Sequence, residues 1–449
     1  AASARGVLSG APRPDLSLDD AEHLRAQLRA CLDGRGGAVS ARARAADLGR
    51  TYLALNATGR ERFLRLLAEE FDVDHRAVAA LGERLIDAGN EQARRVVERE
   101  LRAALEPPRV ELLRQFNGIP EGVKFLVDMR AELMSMGRND AMLAGLELDL
   151  KMLLASWFDV GFLELKRITW DAPAALLEKL IVYEAVHEIR SWTDLKNRLE
   201  ADRRCFAYFH PRMPEEPLIF VEVALVSGMS DDVQSLLDET APVGDPIGAD
   251  TAIFYSISNC QRGLAGISFG DFLIKRVVDD LARELPHIKT FATLSPVPGF
   301  RAWLEKRVAE EGDDLLTAGE RKSLQQQLPS ELSKLGITGM LARPRWHEDA
   351  AVAQALRVPL LRLAARYLML EKGARGRAFD PVAHFHLTNG ARMERLNWCA
   401  DLSPKGVRQS AGIMINYLYR LHEIEENHEA YSGEGRIAAS AAMSRLAKA

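Results

Sequence analysis

Cysteine is scarce in this 449-residue chain: Cys31, Cys205, Cys260 and Cys399 lie far apart, with no CxxC pair. That spacing excludes a zinc ribbon, an iron–sulfur cluster and a disulfide framework, and it fits a reducing compartment. Long apolar runs are missing too. The most apolar stretch, Pro217 to Met229, is interrupted by Glu222 and falls short of the roughly 18–20 residues that a membrane helix requires. Nor is there an excess of one charge. The 59 basic and 64 acidic residues leave a net charge of −5, so neither a nucleic-acid nor a membrane partner is expected. Lysine is rare beside arginine, 13 against 46, and only Lys124 falls in the first 150 residues; a GC-rich genome produces the same bias. Two short motifs are also absent: no Gly-Lys-Ser/Thr follows a glycine loop and no G-x-G-x-x-G opens a helix, which argues against a P-loop and a dinucleotide fingerprint. Ser295 does not stand in a G-x-S-x-G, which argues against a nucleophile elbow there.

What is present is an ordinary globular composition, 47% hydrophobic and 27% charged. A chain of this length holds two or three domains and buries a core without staples. The first 14 residues contain Arg5 and Arg13 and no acid, a composition that transit peptides share with the tips of Ala/Arg-rich chains. From Leu16 to Trp157 the pattern is helical. Ser17-Leu-Asp-Asp20 reads as a cap before Leu24, Leu28 and Leu32, and Asp74 precedes Val78, Leu81 and Leu85. Asn90 opens a run with Val96, Val97, Leu101 and Leu105 that Pro107-Pro108 stops. Two further helices are predicted near 121–136 and 139–157. This half has two histidines and no clustered carboxylates, so a helical bundle for packing or assembly is expected over 1–157.

After Trp157 the period changes from 3.6 to 2. Strands are predicted at 162–170, 204–209, 217–226 and 251–258, with helices near 173–189, 193–201, 231–238 and 270–285. Such alternation predicts a sheet domain over 158–449, and the region 310–350 reads as a helical insertion. The fold class is therefore α+β multidomain: a helical bundle followed by a sheet domain.

Three segments of the second half carry chemistry. At Phe254–Val278 a strand gives way to a loop with Gly263, Gly266 and Gly270 and then to an amphipathic helix. Free N–H groups at such a junction can cradle a phosphate, though junctions of this kind are common. In Leu294-Ser-Pro-Val-Pro-Gly-Phe300, two prolines fix the backbone beside Ser295; the serine is either a turn or cap residue or a hydroxyl held for chemistry. In His384-Phe-His386-Leu-Thr-Asn-Gly390, His-x-His on a strand turns both rings to one face, where they could bind metal. A third ligand at convincing spacing is missing, so one structural and one acid–base histidine is the favoured reading. Tyr417 and Tyr419 follow, aromatic residues that serve as core or orient an imidazole.

FYSISNCQRGLAGISFGDFLIKRVV, LSPVPGF, AHFHLTNGA and Asn416-Tyr-Leu-Tyr419, in this order, resemble the malonyl-CoA decarboxylase family over nearly the whole chain. The resemblance implies an acetyltransferase-like (GNAT) catalytic domain behind a helical oligomerisation domain. It implies decarboxylation of malonyl-CoA to acetyl-CoA and CO₂ without biotin, metal or another cofactor. It implies self-association to a dimer or tetramer, and a cytoplasmic location for a bacterial-type chain or the mitochondrial matrix for a eukaryotic one. Carried over by motif, the family's serine falls on Ser295, its histidine on His386 and its tyrosine on Tyr419. Its substrate-binding loop falls on Ala265, Gly266, Ile267, Ser268, Phe269, Gly270 and Asp271, with Ser295 and His386 also meeting substrate. Animal relatives carry a glutamate where this chain has Ser268; if that carboxylate orients the histidine there, this chain uses Ser268, a water or another acid in its place. The same fold also supports CoA-dependent acyltransferases, and a non-catalytic acyl-CoA-binding scaffold is a third class. Retention of both Ser295 and His386 argues against the scaffold.

Overall fold

The computed structural model describes residues 12–33, 37–136, 140–158, 160–267, 273–373 and 376–448. The chain divides into two compact units. One is helical and runs to Leu163, with His210–Glu216 and the described part of the segment that starts at Gln261. The other holds most of the sheet and the remainder of the chain.

The helical unit contains α1 (Leu18–Leu32), α2 (Gly37–Ala54), α3 (Ala57–Glu70), α4 (His75–Ile86), α5 (Glu91–Ala104), α6 (Pro108–Asn117), α7 (Gly122–Met136) and α8 (Ala141–Trp157). The caps read from sequence form: the side chains of Ser17, Asp74 and Asn90 accept from backbone N–H groups of the first turns of α1, α4 and α5. Pro107-Pro108 plays two parts. Helix α5 ends at Ala104, and Pro108 opens α6 at a position where a missing N–H costs nothing. Leu28, Phe63, Leu67, Leu113, Leu126, Leu133, Leu146 and Leu150 form the core. Buried Arg109 bonds Asp72 at 2.9 Å and Asp149 at 2.7 Å, so this cation is paired on both sides.

The strands are β1 (Glu164–Ile168), β2 (Arg203–His210), β3 (Met213–Val226), β4 (Thr251–Asn259), β5 (Thr290–Thr293), β6 (Ser295–Pro296), β7 (Arg392–Asn397) and β8 (Met414–Leu418). Among the described residues they form one sheet in the order β1-β2-β3-β4-β5-β8-β6, with β7 also on β8. β4 and β5 run parallel while β1/β2, β3/β4 and the pairs around β8 are antiparallel. This is the mixed-sheet domain behind a helical region that the resemblance implies.

A parallel pair needs a crossover. After α9 (Ala174–Tyr183), which lies between β1 and β2 in sequence, α10 (Leu273–Glu284) supplies it. Leu273, Ile274, Val277, Val278 and Leu281 make one buried stripe along α10. α9 is shorter than its predicted 173–189. The Glu184 carboxylate accepts from the Val186 and His187 N–H groups and from the hydroxyls of Ser256 and Ser258, which fixes a turn in place of helix. Glu222, the charge that interrupts the apolar run of β3, meets the equally buried Arg198 at 3.0 Å, and Arg198 also bonds Asp194 at 2.7 Å.

Candidate active site

β5 ends at Thr293, and two residues later the chain pairs with β8 as β6, Ser295 opposite Ile415 and Pro296 opposite Met414. Pro296 has no N–H to offer a ladder, which suits it to this short edge segment. The crossing leaves the Ser295 side chain buried beside Thr293, His386 and Tyr419.

The His384-Phe-His386 motif departs from expectation. Residues Pro381–Thr388 form a helix, α12 in chain order after α11 (Ala350–Met369), and not a strand. Asp380-Pro381 was the signal: an N-cap acid followed by proline at the first helical position. On a helix, residues two apart point about 200° from each other, so His384 and His386 do not share a face and do not form a metal-ligand pair. His384 Nδ1 lies 2.8 Å from the Tyr431 hydroxyl. His386 turns inward, its Nε2 3.0 Å from Ser295 Oγ and its Nδ1 2.9 Å from the Tyr419 hydroxyl. Among the described residues no group of three His, Cys, Asp or Glu side chains is gathered as a metal site would need.

Proton positions follow from the contacts. The Ser295 hydroxyl donates to Thr293 Oγ1 at 2.8 Å, which also accepts the Tyr417 N–H at 3.1 Å. With its own proton used, Ser295 Oγ accepts from His386, which places that proton on Nε2. Nδ1 is then free to accept the Tyr419 O–H. Burial pushes the His386 pKa down to about 3 and that of Tyr419 well above the usual phenol range. The whole chain of groups is therefore neutral. The Tyr417 ring stacks on the imidazole, with centroids 4.4 Å apart and planes 25° apart, and fixes its tilt.

The predicted substrate loop is described in part. Ala265, Gly266 and Ile267 belong to the helical unit, whereas Ser268, Phe269, Gly270 and Asp271 lie outside the described residues. Buried Arg130 on α7 donates to the carbonyls of Gly263 at 2.5 Å and Ala265 at 3.0 Å while bonding Glu147 at 2.8 Å. Gly263 is indispensable there, because a Cβ would sit 1.8 Å from the Val127 carbonyl oxygen. Gly266 has φ +72°, and the Lys151 ammonium lies 3.4 Å from where its Cβ would be.

Sequence reasoning passed over Thr293, Arg130 and Asp380. Thr293 and Arg130 carry no sequence signal, since one is a strand residue and the other sits on a helix crowded with charges. Asp380 was visible as a helix cap.

A model of the malonyl-CoA decarboxylase C-terminal domain matches residues 161–449, and one of the N-terminal domain matches 71–158. The mitochondrial malonyl-CoA decarboxylase of Anser anser anser is 38% identical over 416 residues, covering 88% of this chain and 82% of the relative. That of Rattus norvegicus is 38% identical over 402 residues, covering 86% and 81%. The crystal structure of malonyl-CoA decarboxylase from Rhodopseudomonas palustris superposes with a TM-score of 0.85 at 44% identity, over 94% of this chain and 99% of that one. The corresponding structure from Agrobacterium vitis gives 0.83 at 44% identity, over 94% and 98%.

Proposed function

The chain belongs to the malonyl-CoA decarboxylase family, carboxy-lyases acting on a CoA thioester, and from that premise we propose that Ser295, His386 and Tyr419 carry the conversion of malonyl-CoA to acetyl-CoA and CO₂. The observation that carries this assignment is the contact chain Ser295–His386–Tyr419, buried and neutral.

The chemistry asks for three things. The malonyl carboxylate must leave as CO₂, the enolate oxygen must be stabilised, and the carbon must be protonated. Among the described residues in contact with Ser295 and His386 there is no cation: Thr293, Phe385, Tyr417 and Tyr419 are all neutral. A carboxylate placed here loses water without gaining a salt bridge, which favours its departure. Ser295 hydrogen-bonds and orients the malonyl group. His386 donates its Nε2 proton to the enolate carbon while Nδ1 takes the Tyr419 proton, so the imidazole ends neutral. A thioester enolate is a stronger base than a phenolate, so this relay runs downhill. The one proton consumed per turnover returns to Tyr419 from water. No step asks for a metal or an organic cofactor.

We assign substrate binding to the loop Ala265–Asp271, with Lys151 offering an ammonium to a phosphate that approaches Gly266. The helical unit carries self-association to a dimer or tetramer. In its support, the apolar faces of α4 and α5 are incompletely covered, with Ile86 84% and Val96 38% exposed. Light scattering that gives a monomer at micromolar concentration overturns the assembly. No described helix is long and apolar enough to cross a membrane, and four free cysteines fit a reducing compartment such as the cytoplasm, which cell fractionation checks.

The test of function is malonyl-CoA supplied with no acyl acceptor. Equimolar acetyl-CoA and CO₂ are expected. Dependence on an added amine points to an acyltransferase, and tight binding without turnover points to a scaffold.

A further inference from the structure

Ser295 and His386 come from segments 91 positions apart, and something must hold the two backbones in register. Asp380 is fully buried and contacts both. Its Oδ1 accepts the Val382 and Ala383 N–H groups at 2.9 Å each, capping α12, the helix that carries His386. The turn that follows Ser295-Pro-Val-Pro lies against the same carboxylate, which the Gly299 N–H faces. Its Oδ2 also accepts the Tyr367 hydroxyl of α11 at 3.1 Å. The turn is seated with no slack: a Cβ on Gly299 would sit 2.2 Å from that Tyr367 hydroxyl and 3.9 Å from Asp380 Oδ2.

We propose that Asp380 is a positioning residue for the decarboxylation, a buried carboxylate that ties the His386 helix to the Ser295 turn and thereby sets the Ser295–His386 separation. This rests on Ser295 and His386 carrying the reaction. Neither Asp380 nor Gly299 meets substrate in this account. Each acts through the 3.0 Å contact, which must hold to within about half an ångström for proton transfer to stay efficient.

Asp380→Asn isolates the tie. The amide oxygen can still cap α12, but an NH₂ replaces the other carboxylate oxygen, cannot accept the Tyr367 O–H and opposes the Gly299 N–H donor to donor. The full chain with Asp380→Asn is expected to lose 10- to 100-fold in kcat with KM for malonyl-CoA within twofold and an unchanged circular dichroism spectrum. In a Ser295→Ala background the same change is expected to cost less than threefold, because no Ser295–His386 contact is left to hold. A loss as large in that background as in the wild type, or a wild-type kcat for Asp380→Asn, overturns the positioning role. Gly299→Ala gives a route that keeps the carboxylate. It is expected to lower kcat, and adding Tyr367→Phe, which removes the obstructing oxygen, is expected to restore at least part of it. Absence of any rescue also counts against the tie. Failure of the premise looks different: Ser295→Ala alone then keeps near-wild-type turnover.

Discussion

His386 Nε2 lies 3.0 Å from Ser295 Oγ, and both residues are buried. The serine comes from a two-residue strand, the histidine from the second turn of a helix. Their meeting joins two motifs that lie 91 positions apart in the chain.

Removing either partner is expected to slow the reaction. Ser295→Ala and His386→Asn are each expected to lower kcat for malonyl-CoA by about 10²–10⁴-fold, the range of acid–base assistance by a positioned side chain. The double variant is expected to be little worse than the weaker single one, since the two act as a unit. Near-wild-type release of acetyl-CoA from both folded variants would falsify the assignment.

Tyr419→Phe keeps the ring and deletes the hydroxyl that faces Nδ1. With no proton to pass to Nδ1, kcat is expected to fall by about 10²–10⁴-fold, more than the roughly tenfold that loss of one buried hydrogen bond would give. KM is expected to hold, because the lost hydroxyl serves the imidazole and not the substrate. A change confined to KM would place Tyr419 on the substrate instead.

Burial holds His386 neutral down to about pH 3, so kcat is expected to show no His386 ionisation between pH 5 and 8. The effect on stability has a definite sign. Below the ordinary histidine value near 6.5 the unfolded chain takes up a proton that the folded chain refuses, so stability falls with acidity from about pH 6.5 towards pH 3. His386→Asn removes this contribution. The drop in unfolding free energy between pH 7 and pH 5 is expected to shrink by about 2 kcal/mol in that variant. An identical pH dependence in the two proteins contradicts a neutral buried ring.

Arg130 fastens the loop backbone at Gly263 and Ala265. Arg130→Leu strips both carbonyls of their donor and leaves Glu147 without its ion pair. Steady-state kinetics are expected to show a rise of tenfold or more in KM for malonyl-CoA with kcat within threefold. Lys151→Ala is expected to raise KM in the same direction, with an effect that fades at high salt as screening grows. A KM unchanged in both variants removes the loop from substrate binding.

Arg198 bonds Glu222 and Asp194 in the interior of the sheet unit. Arg198→Met leaves two buried carboxylates without their cation, and breaking such a pair on one side costs about 3–5 kcal/mol. A lower urea midpoint checks this, and the joint change Arg198→Met/Glu222→Leu is expected to recover part of the loss.

Helix caps, the proline break, the run of buried strands and the order of the motifs are local properties, and the sequence by itself determined them. Ser17, Asp74 and Asn90 cap in place because an N-cap needs only a side chain three residues from the N–H it accepts. His384-Phe-His386 shows the limit of such reading. A period of two matched a strand, but the cap at Asp380 and the proline after it start a helix, and a short apolar run takes whichever period its ends impose. Only the tertiary structure decided that Ser295 faces His386, that Thr293 accepts the hydrogen bond of the serine hydroxyl, that Asp380 lies against both segments and that Arg130 holds the loop. Each of these depends on contacts between residues far apart in sequence, where geometry comes from how elements pack and not from spacing along the chain. The same is true of the neutral imidazole, because its pKa follows from burial, and burial belongs to the fold.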